Sequence, residues 1–168
     1  VNALPVTKLD ITSVNAGNQV VAGTPFNVVV ISRSANNAVA KVTADTTVTL
    51  SVAAGGTAAK LGGTLTGVIP SGGSSITFSG ITYTKTEAAL QLRAAVTAGP
   101  ALTQSDSTAF SVVPNVPNKL AITAIAPAIV KVNTAFSVNV QSQDAFGNAV
   151  NVAANTAVQL TVKTGTGV

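Results

Sequence analysis

Residues 24–55 read TPFNVVVISRSANNAVAKVTADTTVTLSVAAG, and residues 134–165 repeat the pattern as TAFSVNVQSQDAFGNAVNVAANTAVQLTVKTG. The two stretches align without a gap at a spacing of 110 residues, and 13 of the 32 aligned positions are identical. Self-similarity at a domain-sized spacing is typical of tandem repeats. Val168 corresponds to Ala58 in this alignment, so the sequence predicts one complete copy followed by a truncated second copy.

Apolar side chains alternate with polar ones in the repeated stretch and through most of the chain. Alternation with a period of two places one face of a strand on a core and the other in water. Turn residues separate these runs about every 8–12 residues, which is typical of a β-sandwich. We therefore predict an all-β, antiparallel β-sandwich. Its predicted core residues are Phe26, Val28, Val30, Val48, Leu50, Val52, Phe78, Phe110, Phe136, Val138, Val140, Val158 and Leu160.

One segment, residues 87–96 (EAALQLRAAV), is built from good helix formers. Its Leu90, Leu92 and Ala94 nevertheless alternate with other residues, and Thr-rich strand sequence flanks it. Because sheet context overrides propensity, we predict a strand here.

The composition is that of a globular β-protein. Hydrophobic residues make up 46% of the chain and charged residues 8%, whereas disorder requires low hydrophobicity with high net charge. The net charge of +4 comes from basic residues scattered from Lys8 to Lys163. Nucleic-acid binding would require a concentrated basic stripe, preferably with stacking rings, so we predict no nucleic-acid partner.

The sequence has no cysteine, so redox chemistry does not indicate a compartment. Because it begins at Val1, we expect a mature product or an excised piece without a leader. No apolar run approaches the roughly 20 residues that cross a bilayer, so we expect a soluble segment without membrane insertion.

The domain boundary is predicted at a segment with two prolines, Pro114-Asn-Val-Pro-Asn118. The following Lys119-Leu-Ala-Ile122 echoes Lys8-Leu-Asp-Ile11. Proline restricts backbone dihedrals and favours an extended connection, so we expect successive domains in line. The predicted division is a complete domain over residues 1–113, a linker over 114–118, and the N-terminal half of a second domain over 119–168.

Several short motifs fall at predicted strands and turns, and together they are spread over nearly the whole chain. They are Lys-Leu-x-Ile at the start of each unit, Ala22-Gly-Thr-Pro-Phe-x-Val-x-Val30, Thr46-x-Val48-x-Leu50, Gly63-Thr-Leu-Thr-Gly67, Ile76-Thr-Phe-Ser-Gly-Ile81, Ser107-Thr-Ala-Phe-Ser-Val112 and Gln141-Ser-Gln-Asp-Ala-Phe-Gly-Asn-Ala-Val150. Together they resemble the immunoglobulin-like (Ig-like) tandem repeats of large bacterial secreted and cell-surface proteins. The resemblance implies a seven-stranded Ig-like sandwich on an exported protein, extracellular or at the cell surface. Such repeats occur as stalks, spacers and adhesin modules.

Two places depart from those repeats. In those repeats a late strand often carries a Tyr near a Gly turn, whereas the matching residues 86–93 of this chain contain no aromatic residue. The loop Arg33–Ala38 of the first copy also differs from Gln143–Asn148 of the second, so the two loops would not bind a ligand identically.

Catalytic constellations are missing from the sequence. Without His and Cys, the commonest general base, the strongest side-chain nucleophile and the usual zinc ligands are absent. The five acidic residues are far apart in sequence, so no carboxylate pair is evident. We predict that the chain is not an enzyme, with no catalytic residue and no cofactor.

The metal candidate is a calcium site at Asp144 and Asn148. Calcium takes six to eight oxygen ligands, usually from several carboxylates, so we favour a β-hairpin turn capped by Asp144. A Lys–Asn isopeptide crosslink would need Lys8 or Lys119 beside an Asn and a buried acid, of which Glu87 is the only Glu. Nothing in the spacing aligns such a set, so we expect solvated lysines.

Exposed aromatic residues usually form the platforms on which sandwiches bind glycans. Phe26, Phe78, Phe110 and Phe136 instead fall on the apolar phase of their strands, which predicts core positions. Phe146 lies in a turn, and its two interpretations, a plug at the end of the sandwich or a contact with a neighbouring domain, stay open.

The half-repeat lacks the later strands that would cover its apolar face. Three explanations compete: the chain is a fragment, another molecule supplies the strands, or the half-unit packs on the first domain or stays mobile. The expected partners are neighbouring Ig-like repeats or copies of the chain. We expect a non-catalytic stalk, fibre or adhesin spacer, with strand complementation into a filament as one route of assembly. The alternative is an adhesin module whose loops bind a glycan or a surface protein.

Overall fold

The structure is a computed structural model that describes residues 4–164. The described chain is all-β, with short 3-10 turns at Asn15–Gly17 and Ala58–Lys60. The strands are β1 (Val6–Val14), β2 (Val20–Val21), β3 (Phe26–Ser34), β4 (Thr46–Ala54), β5 (Leu61–Gly62), β6 (Thr66–Ile69), β7 (Ser75–Tyr83), β8 (Glu87–Ala98), β9 (Ser105–Asp106), β10 (Phe110–Val113), β11 (Lys119–Ala126) and β12 (Ser137–Gln143).

The chain forms two compact units, Val1–Asn115 (unit 1) and Val116–Val168 (unit 2). Unit 1 is a β-sandwich of two sheets. One sheet has the strand order β1-β3-β7-β5, and the other has the order β2-β10-β8-β4-β6 with β9 paired to β8. The first sheet places β3 between β1 and β7, and the second sheet places the late strand β8 between β10 and β4. This is the strand arrangement of the Ig-like sandwich. The predicted fold class is therefore confirmed for unit 1.

Seven strands of unit 1 are four or more residues long, which matches the number that the resemblance implies. The described residues of the unit add three strands of two residues each, β2, β5 and β9. One of them, β2, pairs parallel with β10 through Val20 opposite Val112 and Val21 opposite Val113. The chain thus begins in one sheet at β1 and crosses to the other at β2.

The segment of helix formers is strand β8, Glu87–Ala98, as predicted. Leu90, Leu92 and Ala94 point into the core and are fully buried. Both edges of β8 pair with other strands, β4 on one side and β10 on the other. These long-range contacts outweigh the helix propensity of the segment.

The core of unit 1 lies between the two sheets. Phe26, Val28, Val30, Val48, Leu50 and Phe78 are buried there, and the half-buried Val52 and Phe110 pack against them. The rings of Phe26 and Phe110 meet edge to face, with centroids 6.4 Å apart. Tyr83 is also completely buried in this cluster.

Unit 2 contains one strand pair, β11 and β12, within its described residues. Lys119 pairs with Gln143 and Ile122 with Val140, just as Lys8 pairs with Arg33 and Ile11 with Val30 in unit 1. A register shift follows Ile122 in unit 2 and Ile11 in unit 1. The strand pair β1–β3 therefore recurs as β11–β12 with the same register and a bulge at the same place.

The predicted core of unit 2 is not formed in the described residues. Phe136, Val158 and Leu160 are exposed, and Val138 and Val140 are half-buried. The physical reason is the lack of covering strands: in unit 1, Val48 and Leu50 lie beside Val96 and Ala94 of β8, and residues 116–164 contain no equivalent of β8. Phe136, Val158 and Leu160 are therefore exposed in the described chain, and their place in a core stays a prediction for a unit whose apolar face is covered.

Candidate interaction surface

Four of the five acidic residues are held by polar contacts of unit 1. The carboxylate of Asp10 pairs with the Arg33 guanidinium, and Asp45 Oδ1 accepts a hydrogen bond of 2.8 Å from the Ser71 amide. Asp106 forms two hydrogen bonds with Arg93, at 2.6 and 2.7 Å, and Glu87 lies 2.9 Å from Lys85 Nζ. Across residues 4–164, no three His, Cys, Asp or Glu side chains are arranged to hold a metal ion.

Two of these ion pairs shift the pKa of Asp106 and of Lys85. The Arg93 guanidinium, through its hydrogen bonds, holds the pKa of Asp106 below its ordinary value of 3.8. Hydrogen bonding to Glu87 raises the pKa of Lys85. Because all four side chains reach solvent, these pairs connect neighbouring strands or turn residues rather than form a reactive cluster.

Tyr83, the single tyrosine of the sequence, has a structural position. Its hydroxyl accepts a hydrogen bond of 2.8 Å from the Thr57 amide and donates a long one, 3.4 Å, to Glu87. Burial raises the pKa of Tyr83. Tyr83 alternates with Ile81 along its strand, which predicts a buried side chain, whereas the hydrogen bond is not predictable from local sequence because Thr57 is 26 residues away.

The structure brings the calcium candidates Asp144 and Asn148 together in the turn after β12. Asp144 Oδ1 accepts hydrogen bonds of 2.9 Å from the amides of Phe146 and Asn148, and Oδ2 accepts one of 2.8 Å from Asn148 Nδ2. Gly147 provides the positive φ, 91°, that the turn requires. A carboxylate surrounded by N–H donors caps backbone groups, and this geometry is that of an Asx-type turn rather than of a cation site.

The matching turn of unit 1 uses the same backbone with different side chains. The Ser34 amide donates to the Ala38 carbonyl at 2.9 Å, as the Asp144 amide donates to Asn148 at 2.9 Å. Asn37 has φ 67° where unit 2 has Gly147. Phe146, at the tip in unit 2, is about half exposed.

The residues considered for an isopeptide crosslink are not assembled into one site. Lys8 Nζ contacts Asn37 Oδ1 at an exposed position, and Lys119 Nζ donates to the Ala145 carbonyl at 3.2 Å. Glu87 instead lies with Lys85 and Tyr83.

An apolar face of unit 2 is uncovered in the described residues. We call it the open face, and it consists of Leu120, Ile122, Phe136, Val138, Val140, Val158 and Leu160. Phe136 is 53% exposed where its counterpart Phe26 is 3% exposed, and Leu160 is 56% exposed where Leu50 is 2% exposed. A groove of about 220 Å³ runs between β11–β12 and residues 158–161 on this face. Contiguous exposed apolar surface of this kind marks an interaction site.

Unit 1 carries a second concave feature, a groove of about 530 Å³ where β1 ends and β10 begins. Its lining includes Thr12, Ser13 and Thr108 together with Phe110. Ala16, which also lines it, has a left-handed backbone with φ 50°. The groove therefore offers hydroxyl groups beside an aromatic ring.

Comparisons with known proteins name no relative: no family model matches the chain, and no curated protein matches it. Within residues 4–164 the structure contains no helix with the length and apolar character that crossing a membrane requires.

Proposed function

We propose that this chain is a non-catalytic structural repeat module of an exported bacterial surface protein, serving as a stalk, fibre or adhesin spacer. The observation that carries the proposal is the recurrence of the β1–β3 strand pair as β11–β12, with the same register and bulge. A strand pair that is repeated at domain spacing indicates a tandem array, and arrays of sandwiches separate what lies at their two ends.

The side chains support this role. The described acidic groups pair with basic side chains or cap turns, as Asp106 and Asp144 do, and form no reactive cluster. The outer face of the β4-containing sheet carries threonines such as Thr49, Thr66 and Thr97, which hydrogen-bond one another at 3.1 and 3.2 Å. A lightly charged, hydroxyl-rich surface of this kind suits a spacer.

The partners in this proposal are neighbouring Ig-like repeats or copies of the chain. Two prolines in residues 114–118 restrict the connection between repeats, which favours a fixed spacing. The open face gives the module a means of joining a further strand by complementation.

Small-angle scattering of the full chain tests the spacing role. We expect an elongated particle, and a shorter mean length with a broader distribution when Pro114 and Pro117 are both replaced by glycine. A compact particle whose dimensions are unchanged by the two substitutions would contradict the proposal.

The alternative function, binding of a glycan or a surface protein, is favoured by the unit 1 groove with Thr12, Thr108 and Phe110. Hydroxyl groups beside an aromatic ring are suited to sugars. Binding of the full chain to a glycan array, lost in Thr12→Ala with Thr108→Ala, would establish this function. Absence of binding in the array would leave the spacer as the function that the geometry supports.

A further inference from the structure

The covered face of unit 1 shows which contacts the open face of unit 2 lacks. In unit 1, β3 lies between β1 and β7, with Val28 opposite Phe78 and Val30 opposite Ile76. In unit 2, β12 pairs with β11. On its other side Gln143 bridges to Ala149 and the Val150 amide donates to the Ser142 carbonyl, while no described residue pairs with the remaining stretch, residues 137–141. The missing neighbour of β12 is therefore the counterpart of β7.

The side chains of β7 reach across the sandwich. A Cβ atom placed on Gly67 of β6 would lie 2.4 Å from Ile76 Cδ1 and 3.5 Å from Phe78 Cε1. Gly67 belongs to the opposite sheet, where it is paired with Val48. Large side chains at alternate positions are thus needed to fill the gap of about 10 Å between two sheets.

The free edge of β12 carries no feature that would repel such a strand. Its sequence, SVNVQSQ, contains no charged residue and no proline. Natural edge strands are usually protected by Lys, Pro or a covering element. An unprotected edge beside an apolar face fits a site that a strand occupies.

We propose that the edge of β12 and the open face form an acceptor site for one occupant, an uncharged extended segment with the side-chain pattern of β7. The segment pairs antiparallel with β12 and places its Ile, Phe and Ile opposite Val140, Val138 and Phe136, as Ile76, Phe78 and Ile81 lie opposite Val30, Val28 and Phe26. This inference rests on the proposed function, because it identifies the partner through which repeats are completed.

A second copy of unit 2 fits the site less well. Antiparallel pairing of two β12 strands centred on Asn139 would place Val138 opposite Val140 and Asn139 opposite Asn139. Valine lacks the length with which Phe78 and Ile76 cross to the opposite sheet. The face would then keep a void beside Val158 and Leu160, and voids are destabilising.

A chimera tests the proposal in the protein as it exists. Because Val168 corresponds to Ala58, a second copy of residues 59–113 is appended directly after Val168. We expect the amides of β12 to exchange with solvent at least tenfold more slowly than in the parent chain, and binding of a dye for exposed apolar surface to fall by at least half. The matched control carries Ile76→Asp and Phe78→Asp in the appended copy alone, and we expect neither change in it.

A peptide with the sequence of Ser75–Tyr83 and two added lysines tests the same site from outside. Its binding to the full chain should shift the amide resonances of β12 and leave those of unit 1 unchanged, while the peptide with Phe78→Asp should not bind. The chimera decides the matter if the peptide is insoluble.

Two results would overturn the proposal: a chimera in which β12 stays as exposed to exchange as in the parent, or a parent chain that dimerises through β12. The chain has no cysteine, so disulfide formation by an Asn139→Cys variant detects the dimer directly. A completed second unit in a chimera that scatters as a compact particle would contradict only the spacer function. An elongated chimera whose open face stays unfilled would contradict only the acceptor site.

Discussion

Unit 1 and unit 2 begin with the same strand pair and differ in what covers it. The pairs β1–β3 and β11–β12 have the same register, yet Leu50 is 2% exposed and Leu160 is 56% exposed. The register thus follows from the local sequence of the two strands and the bulge between them. Burial depends on strands that arrive later in the chain, above all β7 and β8.

The largest expected effect is the contrast between Leu50→Ala and Leu160→Ala. Truncating the buried Leu50 should lower the free energy of unfolding of unit 1 by about 2–5 kcal/mol, because it leaves a cavity. Truncating the exposed Leu160 should change stability by less than about 0.5 kcal/mol. Tyr83 is the single tyrosine and the chain has no tryptophan, so tyrosine fluorescence in a denaturant titration reports on unit 1. Equal losses, with unit 2 followed by amide exchange, would show that unit 2 has a core of its own.

The next effect concerns Gly55, which follows β4 and lies close to the backbone of Ala89 in β8. Within the described residues, unit 2 has no counterpart of β8 and therefore no such contact. Gly55 has φ 69°, and a Cβ atom there would lie 1.9 Å from the Ala89 carbonyl oxygen. Gly55→Ala should destabilise unit 1 by about 2–4 kcal/mol, from a left-handed backbone and from overpacking. Gly17→Ala is the matched control, since Gly17 has φ 79° but nothing within 4 Å of a Cβ atom. If both variants lose the same stability in thermal unfolding, the contact with Ala89 contributes nothing.

A smaller effect is expected at the turn that differs most between the units. Asp144→Ala removes the acceptor for the amides of Phe146 and Asn148 and should speed their hydrogen exchange about tenfold, equivalent to about 1.4 kcal/mol. Added calcium should leave the exchange rates of the parent chain unchanged, because the carboxylate caps N–H groups. If added calcium slowed amide exchange in the parent chain but not in Asp144→Ala, Asp144 would be a calcium ligand instead. Ser34→Ala, at the matching position, serves as the comparison in unit 1.

The smallest effect is a pH dependence of unit 1. The pKa of Asp106 is lowered by Arg93, so the pair stabilises the fold at pH values above the ordinary value of 3.8. This contribution should be lost as the pH falls below 3.8 through the lower pKa of the folded state. Denaturant midpoints measured between pH 5 and pH 2.5 should therefore fall slightly more for the parent than for Asp106→Asn. Parallel curves would mean that solvent screens the pair completely.

The strand pattern could be predicted because it depends on neighbours in sequence. Alternation identified β3, β4, β7 and even β8, where Leu90 and Leu92 outweighed the helix formers around them. Strands of two residues, such as β5 and β9, have too few positions for a pattern. They exist because a long strand offers them a free edge, as β8 does to Ser105 and Asp106.

The open face of unit 2 was harder to predict, because it depends on the lack of covering strands over β11 and β12 in the described residues. The sequence identified Phe136 and Leu160 as apolar strand positions, yet Phe136 lies just before β12 and Leu160 lies outside any strand of the described residues. Their exposure follows from strands missing over residues 116–164. The turn at Asp144 was predictable from its Asp, Gly and Asn, whereas the set of amides that its carboxylate accepts required the folded backbone.

The parallel pairing of β2 with β10 joins the beginning of unit 1 to its end. Val20 and Val21 lie beside Val112 and Val113, and the Ala22 amide donates to the Val113 carbonyl at 2.9 Å. A tensile force that pulled the two ends of the unit apart would act along these strands, in shear, so their hydrogen bonds would have to rupture together rather than one after another. Under a pulling force, such as the drag of flowing liquid on a tethered object, the pairing of β2 with β10 would resist until all of its hydrogen bonds break at once.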